Sequence, residues 1–146
     1  MKKLLSLIIV LITFVSCDFM DDVPVTPIVT ACSQSATYVN ASQYNQIDTL
    51  NYTVTNVVLT GNCLEVTIGS SGCNPNNWDM NFIASEMVVE TNPVLYKAKV
   101  ELINNEDCLS VYQKIVSFDI TPLQMSGTDK IQISIEGWST PIIYQY

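Results

Sequence analysis

Leu50–Ile68 reads LNYTVTNVVLTGNCLEVTI, and its two halves decide the fold. Leu50–Leu59 is crowded with β-branched and aromatic residues, which fit a pleated, half-buried surface, so it predicts a strand. Thr60-Gly61-Asn62 predicts a turn. Beyond it Leu64, Val66 and Ile68 alternate with Glu65 and Thr67, and a period of two gives one buried face and one wet face. Two such runs joined by a short turn make a hairpin.

The same period recurs downstream. Gly69–Asn77 (GSSGCNPNN) is loop by composition. Trp78, Met80, Phe82 and Ala84 then alternate with Asp79, Asn81 and Ile83. After the Asn92-Pro93 break, Tyr96, Ala98, Val100 and Leu102 alternate with Lys97, Lys99 and Glu101. This reading puts both lysines on a wet face, a usual device against edge-to-edge association. Asn104–Asp107 (NNED) predicts a turn, and Val116, Phe118 and Ile120 share a face of the next strand. Ile131, Ile133 and Ile135 form the cleanest alternation of all. Trp138–Tyr146 predicts a last edge strand, where Pro141 is tolerated, with Tyr144 and Tyr146 on one face. Seven or eight short strands with frequent turns predict an all-β fold over residues 32–146: an antiparallel β-sandwich of immunoglobulin-like type. A small barrel is the alternative.

Composition narrows function by exclusion. The chain has 146 residues, enough for one domain. Its six basic residues are all Lys, against 14 acids, and it has no His. A His general base, a His-containing triad and a His-ligated zinc are excluded. Clusters of Arg and Lys for phosphate contacts are missing, so nucleic acid is not an expected partner.

Residues 1–16 read as a signal peptide. Lys2 and Lys3 precede the apolar run Leu4–Val15, whose 12 residues are too few for a membrane-spanning helix. The run ends at Phe14-Val15-Ser16-Cys17, which resembles the lipobox of bacterial lipoproteins, with Phe14 where Leu is usual. The resemblance implies lipidation of Cys17 and attachment to the outer membrane through two acyl chains. Loss of residues 1–16 removes Lys2 and Lys3 and no acid, so 14 acids face four Lys and the formal charge becomes −10. Residues 17–31 read as the lipidated Cys and a tether stiffened by Pro24 and Pro27. Asp18, Asp21 and Asp22 resemble the surface-export signal of Bacteroidota lipoproteins, so the periplasmic face and the cell surface are both open.

With Cys17 assigned to lipid, Cys32, Cys63, Cys73 and Cys108 remain. An exported compartment permits two disulfides, with three possible pairings. Without a C-x-x-C pair or a His, metal ligation is not expected. From Asn62 to Gly137 the chain resembles small uncharacterised lipoproteins of Bacteroidota. The matching pieces are Cys63-Leu64-Glu65-Val66-Thr67, Ser71-Gly72-Cys73, Glu106-Asp107-Cys108 and Phe118-Asp119-Ile120-Thr121-Pro122-Leu123. The resemblance implies a Cys73–Cys108 bridge, which leaves Cys32–Cys63, and implies a β-sandwich but no activity.

That bridge would bring Asn74–Asn77 and Asp79 beside Asn104–Asp107. Asn76, Asp79, Asn105 and Asp107 are therefore candidate binding residues, with Trp138 as a stacking surface. Such oxygen-rich loops suit Ca²⁺ or sugars, and they are also what turns prefer. The expectation is a lipid-anchored, non-enzymatic binding or structural module that needs no cofactor, with a glycan or envelope protein as partner. An inhibitor of a host or competitor hydrolase is one alternative. A Ca²⁺-dependent or glycan-acting enzyme built on Asp79 and Asp107 is the other.

Overall fold

The computed structural model describes residues 31–146. Cys17, the signal peptide and the tether up to residue 30 lie outside them. Strand β1 (Gln34–Ser35) and β2 (Thr37–Val39) lead to a short helix, α1 (Ala41–Gln46). The hairpin β3 (Thr53–Thr60) and β4 (Cys63–Ser71) follows, turning at Gly61 with φ of 58°. Then come β5 (Asp79–Val89), β6 (Leu95–Ile103), β7 (Val111–Asp119), β8 (Lys130–Ile135) and β9 (Ile142–Gln145).

The strands form two packed sheets, ordered β1-β7-β4-β3 and β2-β5-β6-β8-β9. The alternating residues of the sequence are the ones that meet between them. Leu64, Val66, Ile68, Trp78, Met80, Phe82, Ala98, Val100, Phe118, Ile131, Ile133 and Tyr144 are all essentially withdrawn from water. The buried aromatics keep their polar atoms paired, as burial requires. Tyr52 Oη donates to Val100 O at 2.6 Å, and Tyr144 Oη donates to Asn62 Oδ1 at 2.8 Å.

The sandwich is as expected, but two features of its wiring differ. Three of its ladders are parallel: β1 with β7, β2 with β5, and β6 with β8. Parallel partners need a crossover, and the β6–β8 connection supplies one by passing through β7 in the other sheet. The first sheet's β3-β4-β7 order follows an immunoglobulin pattern. In that pattern the next strand would pair with β5. Here β8 pairs with β6, and the second neighbour of β5 is β2. The N-terminal segment stitches the sheets together, leaving β7 and joining β5 at Ala36, which is 3% exposed and whose N–H bonds Asp119 O at 2.8 Å.

Helix α1 and the burial of Lys99 are corrections to the strand-only reading. Asn40 caps the helix, accepting from Gln43 N–H at 3.0 Å, while Gln43 Oε1 accepts from Asn40 N–H at 3.3 Å. The segment covers part of the outer face of the second sheet. Lys97 stays exposed there, but Lys99 is only 8% exposed. Its Nζ donates to Tyr44 O at 3.2 Å and Ile47 O at 3.1 Å, and stands 3.6 Å from Glu136 Oε2. A cation at a helix C-terminus interacts favourably with the last carbonyls, and Tyr44 O also accepts from the Ile47 N–H at 3.3 Å. Tyr144 is fully buried, and Tyr146, two residues on, is half-buried and packed against the core.

Lys99→Met keeps the apolar stem and deletes this clamp. It should destabilise the domain by about 1.5–3 kcal/mol, the range for hydrogen bonds that involve a charged group. Urea unfolding measures the loss, and hydrogen exchange should show α1 as the first element to open. An unchanged midpoint would mean that other contacts hold the helix.

Candidate functional site

Five strand termini meet at one end of the sandwich. Registers Thr53↔Gly69, Ser71↔Val111 and Asp79↔Ile103 place there the start of β3, the end of β4, the starts of β5 and β7, and the end of β6. The two connections at this end, residues 72–78 and 104–110, are bridged by Cys73–Cys108, with Cα atoms 5.0 Å apart. The second disulfide joins Cys32 to Cys63 at 5.5 Å, at the opposite end of β4. This is the pairing that the resemblance implies.

The bridge does bring Asn74–Asn77 beside Asn104–Asp107, but the residue that organises them is Glu106. One carboxylate oxygen, Oε2, accepts from the N–H groups of Cys73 at 2.7 Å and Asn74 at 2.9 Å, and from Trp78 Nε1 at 3.1 Å. The other, Oε1, accepts from Asn77 Nδ2 at 2.9 Å. Hydrogen bonds to the ionised form favour it. Those from the Asn74 backbone and the Asn77 side chain dominate, and the carboxyl group is held at about 2. Trp78 explains the geometry: its ring is 1% exposed, so its N–H needs a partner, and Glu106 supplies it.

Two further contacts complete the cap. Asn104 Nδ2 donates to Ser71 O at 2.7 Å, and Lys114 Nζ donates to Trp78 O. Gly72 lies against both hub residues. A Cβ there would stand 2.7 Å from Trp78 Cζ2 and 2.9 Å from Glu106 Oε2. The Ser71-Gly72-Cys73 and Glu106-Asp107-Cys108 pieces are thus two halves of one built corner.

The candidate residues separate accordingly. Asn76, Asn105 and Asp107 are exposed on the two bridged connections, and Asp79 is exposed at the first position of β5. Glu106, absent from the candidate set, has its oxygens committed to N–H donors. Among the described residues no group of three or more Asp, Glu, Cys or His side chains is gathered as metal ligands are. Trp138 is not brought to this end. It follows β8, whose Ile135 lies opposite Ala98, five residues or about 16 Å short of Ile103. Its ring is half-buried and packed on the core.

Two open clefts lie beside the start of β3, with Tyr52 and Thr53 in the walls of both. One, of about 450 Å³, is lined by Thr49, Tyr52, Thr53, Val54, Glu136 and Gly137. The other, of about 430 Å³, runs between Leu50 and Val111, with Tyr52, Thr55, Gly69 and Gln113 among its walls. Thr49 Oγ1 donates to Glu136 Oε1 at 2.5 Å, which ties the segment leaving α1 to the end of β8. Single-strand periodicity carries no signal for these clefts, because they arise where separate strands end.

Gly72→Ala should cost about 1–3 kcal/mol, the range for overpacking a filled site, read as a lowered urea midpoint. A wild-type midpoint would mean that Trp78 moves aside freely. For Glu106 the sign follows from its lowered folded-state value. Its stabilisation is present above the unfolded value of 4.5 and is lost as pH falls toward about 2. The melting temperature of Glu106→Gln should therefore lie below wild type at neutral pH, and the gap should close across that interval. A gap independent of pH would show that charge is not what holds the corner.

No family model matches the chain, and no curated protein matches it. Solved structures do resemble it in fold. A DUF1344 protein of unknown function from Bacteroides vulgatus aligns with a TM-score of 0.51 at 18% identity, over 77% of this chain and 56% of the other. A NigD-like immunity protein from Bacteroides caccae aligns with a TM-score of 0.53 at 11% identity, over 75% of this chain and 58% of the other. The chain thus spans less than two thirds of the length of each of these structures. The likeness is one of fold: the same two-layer β architecture is built from very different sequences.

Proposed function

We propose that this chain is a non-enzymatic binding module, a disulfide-pinned β-sandwich held at the outer membrane by lipid on Cys17. The observation that carries the reading is the corner itself. Residues 72–78 and 104–110 are fixed to each other by a disulfide, by four N–H donors on Glu106 and by Asn104 on Ser71, while Asn76, Asn105 and Asp107 face solvent. Loops already ordered before a partner arrives lose little conformational freedom on binding, which favours affinity. A glycan or an envelope protein is the partner class for such polar, pre-set loops. An enzyme built on Asp79 and Asp107 has less support, since the carboxylate the corner does engage is Glu106, which serves as scaffold.

A second reading is inhibition of a hydrolase from a host or competitor. The fold is shared with a NigD-like immunity protein from Bacteroides caccae, and loops held as these are can plug an active site at low entropic cost. At 11% identity the fold alone is shared, and fold does not fix function.

Palmitate labelling of cells should mark the wild-type chain and not Cys17→Ser; equal labelling of both overturns the anchor. Hydrolysis of envelope glycans by the pure chain, abolished in Asp79→Asn without loss of fold, would overturn the non-enzymatic reading. Micromolar mixing with lysozymes and proteases tests inhibition, and undiminished hydrolase rates remove it.

A further inference from the structure

Strand β7 leaves most of one edge open. On that side β1 pairs with it at Phe118 and Asp119 alone, while β4 takes the other side along the whole length. The bonds at the end of β7 show which backbone groups face the open side. Ser117 N–H donates to Ser33 Oγ at 3.2 Å, Ser117 O accepts from the same hydroxyl at 2.9 Å, and Asp119 O accepts from Ala36 N–H at 2.8 Å. Residues of an antiparallel ladder alternate in the side to which they point these groups, and the β4–β7 register runs from Ser71↔Val111 to Cys63↔Asp119 without a shift. Val111, Gln113 and Ile115 therefore point their N–H and C=O groups to the open side, where no described strand pairs with them.

An open edge is a template for another strand unless something blunts it. The edge strand β3 is blunted by a register shift between Val54 and Asn56. From Val111 to Val116, β7 has no bulge, Pro or acid. Its one charge there, Lys114, lies on the inward face with Val116 and Phe118 and donates to Trp78 O, so it does not guard the edge. The residues of this stretch select the occupant. Val111 is 77% exposed and Ile115 60%, and both project outward with Gln113 between them. A second β7, laid antiparallel and centred on Gln113, sets Val111 against Ile115, Tyr112 against Lys114 and Gln113 against itself, in both directions at once. The open N–H groups of each copy then meet the open C=O groups of the other. Two β-branched pairs cover each other, and no like charges stand opposite. Such self-complementarity about a two-fold axis is what an isologous contact requires.

We propose that the open edge of β7 is an interaction surface for a second copy of this chain, paired antiparallel about Gln113 so that the first sheets of both copies join into one. The ladder is short and the contact small, as in transient complexes, so covalent capture is the fitting readout.

Gln113→Cys places a thiol on the two-fold axis. Opposed residues of a hydrogen-bonded antiparallel pair have Cα atoms about 5.5 Å apart, within the span of a disulfide. Mild oxidation of cells that express the full chain should convert this variant to a disulfide-linked dimer, read on a non-reducing gel. Val58→Cys, at an exposed outward position on β3, reports chance collision, and the wild-type chain reports any linkage through Cys17. Adding Ile115→Lys to Gln113→Cys should slow capture roughly tenfold, because the cross-strand pairs on both sides of the axis are lost together. That variant should keep its fold, since the side chain is already largely in water. Ile115→Pro should slow capture as well, because the N–H it removes is one that faces the open edge, where Pro is tolerated. Capture of Gln113→Cys no faster than of Val58→Cys overturns the inference, as does capture that Ile115→Lys leaves unchanged.

Discussion

Trp78, Phe82, Phe118, Leu64, Ile68 and Tyr144 are held out of water between two sheets, and every other feature of the domain either sets or protects that contact. Burial of each large side chain contributes about 1.5–3 kcal/mol, but only in one register. A slip of one residue would turn the whole apolar face of a strand toward solvent. Strand β4 bears most of this constraint, because it lies between β3 and β7 and is paired along its length with both. The two disulfides bracket it. Cys63 at its first residue is tied to Cys32, and Cys73, just past its last, is tied to Cys108. The covalent links thus fix both ends of the strand on which the register of the first sheet depends.

Glu106 belongs to the same logic. Burying the Trp78 ring creates an indole N–H in need of an acceptor, and past the end of β4 the N–H groups of Cys73 and Asn74 reach the same oxygen. One carboxylate satisfies all of them. A polar group left unpaired in such a place costs more than a made bond gains. The contacts that tie the corner together thus follow from the burial of Trp78, and the two connections that carry the outward side chains are held to each other by them.

Much of this was legible in the sequence. Alternation identified the buried faces of β4, β6, β7 and β8 residue by residue, because the strand period belongs to the backbone and needs no tertiary information. What it could not supply was what lies over a face. Lys99 stands at a position whose period says water, and α1 covers it. That six-residue helix had one local signal, the Asn40-x-x-Gln43 capping box, too slight against its polar surroundings. The parallel β6–β8 ladder was hidden for a related reason: strand direction is set by where the chain crosses between layers. At the candidate site the two bridged connections were legible from Cys73, Cys108 and their turn residues. Glu106 was not, since a carboxylate beside a cysteine reads as solvated until the Trp78 N–H is placed next to it.

The two ends of β4 give the domain a polarity that bears on its role. The chain enters the sandwich at Cys32, tied to Cys63, while the bridged polar loops lie beyond Ser71. Nine residues of strand separate the two, about 30 Å. On the proposed anchoring at Cys17, the entry point is the end of the domain through which the chain connects to the anchor. The charge of the body would oppose approach to anionic headgroups, so attraction to a bilayer would have to come from the proposed acyl chains. On that reading, the loops that a partner in solvent would meet first are the bridged ones at the other end of β4 from Cys32.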